Sequence, residues 1–200
     1  MVLPWMIKNA VTVGNPLSPF FNRFFNYVYL APTSEQWSGF PVYRYKQQDA
    51  MQFGSEAELT VKAGEHFTVT NAVSAMQSKT ADGHFTPFTP AAKWTPGIHA
   101  NYKRSDKQQY TAFVAGDYCF AQHDLAPEEL GTGDYFLLNA GIREEFRCKS
   151  TTWIIGLTGN NLLDRAYFDH LSRFKYFGIQ NMGRNICLQV LLKFGSVAHP

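Results

Sequence analysis

The chain has 200 residues and a formal net charge of +2, with 17% charged and 16% aromatic residues, among them 17 Phe and 10 Tyr. A balance this close to neutral argues against nucleic acid as a partner, and the length allows one sizeable domain. No window supplies the roughly 18 consecutive apolar residues that a membrane-spanning helix requires, so any crossing of a membrane falls to strands.

The first residues, Met1-Val2-Leu3-Pro4-Trp5-Met6-Ile7-Lys8, lack the basic segment, apolar run and small-residue cleavage site of a secretory signal. The expectation is a cytosolic chain or one whose true beginning lies upstream. Residues 1–19 read as a lead-in. Strand character begins with the aromatic run from Phe20 to Leu30.

From Tyr43 to Lys62 the alternation is the clearest in the chain. Tyr43, Tyr45, Met51, Phe53, Ala57, Leu59 and Val61 share one parity; Arg44, Lys46, Gln48, Gln52, Glu56, Glu58, Thr60 and Lys62 share the other. Successive side chains on a strand point to opposite faces, at about 3.3 Å of rise per residue. A strand this long exceeds what a soluble sandwich uses and suits a tilted strand that crosses a bilayer and continues above it.

The link Ala63-Gly64-Glu65-His66 leads to a hairpin partner carrying Phe67, Val69, Val73 and Ala75 on one face. A Pro-containing loop from Ala81 to Pro90 follows. Trp94, Ile98, Ala100 and Tyr102 then alternate with Lys93, Thr95, His99, Asn101 and Lys103. A short link at Ser105–Gln108 precedes Tyr110, Ala112, Val114, Tyr118 and Phe120, and a long loop runs from His123 to Gly133. Phe136, Leu138, Ala140 and Ile142 come next, then the link Arg147–Ser150, then Trp153, Ile155 and Leu157.

The final run, Gly183 to Phe194, places Ile186, Leu188, Val190, Leu192 and Phe194 on one face. Asn185, Cys187, Gln189 and Lys193 lie on the other, with Leu191 as its lone apolar member. One face wants hydrocarbon and the other tolerates water.

The total is about eight strands in an antiparallel meander, with connections alternating short and long. Outer-membrane barrels segregate loop lengths in this way, and soluble sandwiches have no reason to. Trp5, Trp37, Trp94, Trp153 and Tyr residues near strand ends suit interfacial aromatic girdles, although each alone is equally well a core aromatic. The fold class expected is therefore all-β, an antiparallel transmembrane β-barrel segment.

Three groups of residues carry a family resemblance. Phe20-Phe21-Asn22-Arg23-Phe24-Phe25-Asn26-Tyr27-Val28-Tyr29-Leu30 resembles a strand ending in an aromatic-aliphatic-Tyr-Leu run. Tyr43–Ala50 followed by Gly54-Ser55-Glu56-Ala57-Glu58-Leu59 is similar to the strand after it. Asn161-Leu162-Leu163-Asp164-Arg165-Ala166-Tyr167, Asp169-His170-Leu171-Ser172 and Gly183-Arg184-Asn185 resemble a closing block. Together they look like the C-terminal barrel portion of a TonB-dependent outer-membrane receptor, covering residues 20–194.

The resemblance implies a 22-stranded barrel plugged by an N-terminal domain that contacts TonB, in the outer membrane of a Gram-negative bacterium. Plug and TonB-contacting box are missing from this sequence. Residues 195–200, after the aromatic on which the family usually ends, form an unusual tail. The reading is a fragment, truncated or mis-started at Met1, with a tail that impairs assembly. Its implied partners are the lipid bilayer, the missing plug and through it TonB, and a small bulky ligand such as a metal chelate. The alternative is a self-contained structural or adhesive barrel of eight strands, closed by pairing the first strand with the last, since an open edge cannot sit in lipid. Arg44, Lys46, Glu56, Glu58, His99 and Lys103 are expected to face the interior.

No motif of nucleophile, zinc-protease, phosphate-loop or dinucleotide chemistry occurs, so neither an enzyme nor a cofactor is expected; an outer-membrane hydrolase ranks third. Cys119, Cys148 and Cys187 are widely spaced and form no disulfide framework or cysteine zinc site. His84, His123 with Asp124, and His170 with Asp169 fall in outer loops and read as scattered surface residues before they read as metal ligands. Trp37, Phe85, Phe88, His123 and Tyr176 are candidates to line a ligand vestibule, Phe40 beside them; the duller reading is loop-to-loop packing. Glu128-Glu129 reads as a solvated charge pair.

Overall fold

Alternating apolar and polar side chains, punctuated by Gly, Asp and Asn, favour extended segments that pair with their sequence neighbours. In the computed structural model, which describes residues 21–194, these segments become β1 (Phe21–Trp37), β2 (Phe40–Ala63), β3 (Phe67–Thr80), β4 (Lys93–Ser105), β5 (Gln108–Cys119), β6 (Tyr135–Cys148), β7 (Thr151–Asn160) and β8 (Asn185–Phe194). Each pairs with the next in one eight-stranded antiparallel sheet. The helical content of the described residues is a 3₁₀ turn, Arg173–Phe177. The lead-in 1–19, with Trp5, and the tail 195–200 lie outside the described residues.

Register builds a continuous apolar band. Val61 sits opposite Val69, Val69 opposite Ile98, Ile98 opposite Val114, Val114 opposite Ala140, Ala140 opposite Gly159, and Gly159 opposite Ile186. Directly opposed residues project on the same side of a sheet, so one row spans seven strands on one face. Leu59 and Leu188 on that face are 62% and 68% exposed, which is unfavourable in water and natural against acyl chains. Lys46, Glu56, Glu58 and Lys103 take the opposite parity, as the alternation predicts, and are exposed there.

Among the described residues, no second layer covers the apolar face. Among the described residues the buried apolar set is Ala31, Ala50, Ala126, Tyr135 and Ile154, too small for the core of a globule of this length.

Aromatic side chains edge the band at both ends. Trp94, Tyr118 and Phe136 are consecutive cross-strand neighbours at one rim, with Phe120 edge-on to Tyr118 at 4.8 Å. At the other, Tyr102 opposes Tyr110 and Phe146 stacks on Trp153 at 6.1 Å and 5°. Trp37 departs from the girdle expectation: it stands 80% exposed at the tip of the β1–β2 hairpin.

The turns at Gly64–His66, Asp106–Lys107 and Lys149–Ser150 gather at one rim, and the long connections 81–92, 120–134 and 161–184 at the other. The β1–β2 connection differs. Its strands run on past the band to a two-residue turn at Ser38 and Gly39, with φ of +52° and +83°, the left-handed pair that a tight hairpin requires. A bulge between Phe24 and Tyr27, with Asn26 at φ +53° and its N–H bonded to Asp49 Oδ1 at 3.0 Å, resets the parity of β1. Simple alternation through that aromatic run therefore does not hold.

β1 and β8 are the two edges of the sheet and do not pair with each other among the described residues. The closing pair of strands that the self-contained alternative requires is not formed among the described residues.

Candidate functional site

The three long connections fold over the polar face and are tied together by one buried ionic cluster. Glu129, from the β5–β6 loop, has a side chain wholly shielded from solvent. Its carboxylate accepts from the backbone N–H of Phe88 at 2.9 Å and of Ala126 at 3.2 Å. The Lys175 ammonium, from the 3₁₀ turn, donates to the same carboxylate at 3.3 Å and to the His170 carbonyl at 3.0 Å.

His170 lies between them. Its Nδ1 is 3.2 Å from both Thr132 Oγ1 and Lys175 Nζ. Its Nε2 is 3.1 Å from Glu129 Oε1, close enough for attraction but off the line of a hydrogen bond. Three loops distant in sequence thus meet at one carboxylate, and the cluster is the nearest thing in the molecule to a polar core.

Burial and partners compete for the charges. Burial pushes the Glu129 carboxyl up, but the His170 ring edge beside it, the N–H groups of Phe88 and Ala126 and the charge of Lys175 outweigh it and hold the carboxyl below its usual range. Burial dominates at Lys175 and depresses its ammonium despite Glu129. Burial and the neighbouring Tyr43 raise the Tyr176 hydroxyl.

The closing block builds the loop that supplies His170 and Lys175. Asn161, buried at φ +48°, accepts from Arg165 N–H at 2.8 Å and donates to the carbonyls of Arg165 and Met182. Asp164 accepts the Arg184 N–H at 2.8 Å. An Asn tolerates the left-handed backbone because its short side chain bonds locally. A polar relay carries this loop onto the sheet: Asn139 accepts from Asn161 N–H and donates to Asp117 at 2.8 Å, and Asp117 pairs with Lys93 at 2.7 Å.

Beneath the roof lies a cavity of about 320 Å³. Lys93, Asp117, Cys119 and Tyr135 form its floor, with Tyr167, Asp169 and His170 above. Tyr135 packs on Tyr167 at 4.4 Å and donates to Asp169 Oδ2 at 2.9 Å. With Lys93, Asp117 and Asp169 beside Tyr135 and Tyr167, the pocket can hold a small group with mixed polar and aromatic character.

The structure brings together two of the five vestibule candidates. Phe88, at φ +58°, has the Lys175 ammonium 5.3 Å from its ring centre, and Tyr43 packs 6.4 Å from Phe88 and edge-on to Tyr176 at 5.7 Å. Trp37 and His123 stand exposed and apart. Phe85 lies against Lys79 at 4.6 Å. Phe40 leans from the β1–β2 hairpin onto Phe177 at 4.7 Å.

Two expectations are corrected. Glu129 is not half of a solvated pair: it is buried while Glu128 stays exposed, because Glu128 at φ +63° turns the chain and swings its neighbour inward. His170 is not a surface histidine, being 3% exposed, because its ring fills the space between Thr132 and Lys175. No set of three or more metal-ligating side chains converges among the described residues.

No family model matches the chain, and no curated protein matches it. Among solved structures it is similar to the copper transporter OprC, at 14% identity and a TM-score of 0.66 over 85% of this chain. The chain spans 27% of that protein's length. At this identity the likeness concerns the fold, which is that of an outer-membrane β-barrel.

Proposed function

We propose that this chain forms the C-terminal wall and outer loops of a TonB-dependent outer-membrane receptor for a scarce, bulky nutrient such as an iron-siderophore, haem, a metal complex or cobalamin. The observation that carries the reading is the sheet itself: an apolar band on one face, a charged face behind it, long loops at one rim only and, among the described residues, two unpaired edges. Lipid covers the band, and further strands of a wider barrel pair with β1 and β8. The short-turn rim is then periplasmic and the loop roof extracellular.

In this role the segment captures and does not couple. Loops roofed by the Glu129 cluster, with Phe88 and Tyr176 at the surface of the roof, contribute to the vestibule. Release through the lumen requires a plug and TonB that these residues do not supply. The similarity to a copper transporter agrees with uptake of a metal complex and does not select one.

Targeted to the outer membrane of a Gram-negative host, the chain should fractionate with that membrane and confer no energy-dependent uptake of metal chelates by itself. Energy-dependent uptake by these residues alone would refute the segment reading. Recovery as a folded, water-soluble monomer would refute the membrane reading.

A further inference from the structure

The lipid-facing band carries one acidic side chain where hydrocarbon-compatible residues are the rule. Glu144 opposes Tyr110 on one side and Ile155 on the other, and Ile155 opposes Val190. Its neighbour of the same parity, Ile142, is 56% exposed on the apolar face. A carboxylate on that face is costly and calls for a partner.

Its partners within the chain are neutral. Gln108 Nε2 donates to Glu144 Oε1 at 2.6 Å and to the Tyr110 hydroxyl at 2.7 Å, which draws the carboxylate toward the short-turn rim and the level of Phe146 and Trp153. No cation pairs with Glu144 among the described residues. At the same rim Arg104, Lys107 and Lys149 are exposed and make no ion pair among those residues. An unpaired carboxylate set just inside unpaired cations, between aromatic rings, is the complement of a zwitterionic headgroup: an ammonium for the acid and a phosphate for the bases.

We propose that Glu144, Gln108 and Tyr110 form a docking site for the primary ammonium of an ethanolamine phospholipid in the leaflet at the short-turn rim, with Arg104 at the phosphate. The site selects a primary ammonium over a quaternary one because only the former donates hydrogen bonds to Glu144 and the Tyr110 oxygen. The inference rests on the membrane reading above.

The test uses the full chain in vesicles of equimolar phosphatidylethanolamine and phosphatidylcholine, with the lipids that stay bound on release from the membrane counted by native mass spectrometry. Ethanolamine lipid should be enriched about two- to fivefold, within what one net hydrogen bond made to one headgroup and not the other supplies. Glu144→Gln, which keeps the bond from Gln108, should bring the ratio to parity. Glu145→Gln, whose carboxylate pairs with Arg143 on the opposite face, should leave it enriched. Parity in the unaltered chain, or equal loss in both variants, overturns the proposal. A spin label at Leu188→Cys, in a background with the three native cysteines replaced by serine, separates the two readings. A lipid-exposed label with no headgroup preference sinks the docking site alone, and a water-exposed label sinks both.

Discussion

Replacing Lys175 by Met should open the loop roof while leaving the sheet intact. The Lys175 side chain is 3% exposed and the Glu129 side chain has no exposure, so the substitution strands a carboxylate that keeps only two backbone donors and the histidine edge. Removing one partner of a buried pair costs about 3–5 kcal/mol, because the remaining charge stays desolvated. At about 1.4 kcal/mol per tenfold, the roof should open roughly 10²-fold to several thousandfold more often. Amide hydrogen exchange reads this directly at Phe88 and Ala126, whose N–H groups are bonded to Glu129. Exchange in the β5–β6 and β6–β7 ladders should not change, since loops open as local units. Adding Glu129→Gln should recover most of the loss by removing the orphaned charge. If Lys175→Met leaves exchange at Phe88 and Ala126 within about threefold of the parent, the cluster does not hold the roof and the reasoning fails.

Acid should release the same roof. The Glu129 carboxyl is held below its ordinary 4.5, so its contribution is complete above that value and is lost as pH falls through the depressed one; Lys175 is depressed from 10.5, so the open form binds the extra proton between the two values and alkali does not loosen the roof by this route. Protease sensitivity of the loops at a series of pH values checks both signs. On the membrane face, Leu188→Arg should cost about 2–4 kcal/mol in detergent or lipid unfolding, whereas Gln189→Arg, one residue on and facing the lumen, should cost almost nothing. Gly141 leaves room for a ring, since a Cβ there would stand 2.5 Å from Phe113 Cε1 and 3.3 Å from the Leu157 carbonyl. Gly141→Val should therefore destabilise the β5–β7 region by about 1–3 kcal/mol in the same unfolding assay. Asn161→Ala removes bonds to Arg165 and Met182 at a left-handed position, and proteolysis should cut the 161–184 loop at least tenfold faster, in line with about 1–3 kcal/mol for buried groups left unpaired.

The strands were legible because a strand writes its environment every second residue. Leu188, Val190 and Leu192 against Gln189 and Lys193 state two different solvents with no knowledge of neighbours, and the same holds from Leu59 to Lys62. Register followed from parity and short turns. The long extension of β1 to Trp37 was not legible, since Pro32 and the polar Thr33–Gln36 read as loop. What pairs that segment is the continuation of β2 opposite it, Pro32 facing Tyr43 and Trp37 facing Phe40 across the turn at Ser38 and Gly39, a hairpin that apolar alternation does not mark. The roof was legible least. Glu129, His170 and Lys175 come from loops with no period, and a Glu-Glu pair after Ala126-Pro127 looks solvated unless the left-handed turn at Glu128 is known. A buried ionic cluster is a property of three backbones meeting, and no window of one sequence contains it.

The free edges decide how this sheet can exist in a bilayer. Along β1 and β8 about half of the backbone N–H and C=O groups point away from the neighbouring strand, and in hydrocarbon each unsatisfied group costs several kcal/mol. Even one such edge therefore carries a penalty of tens of kcal/mol, well beyond the roughly 5–15 kcal/mol by which a domain is stable. The apolar band removes water as a refuge for the sheet, and the open edges remove lipid as a refuge for one sheet with its edges unpaired, so that in a membrane the chain holds its fold with edge partners, its own copies included. Additional strands resolve both demands, and the charged inner face, with Glu56, Glu58 and Lys103 solvated, suits a lumen wide enough to hold water. A narrow barrel closed on these eight strands would have to bury those same charges against one another.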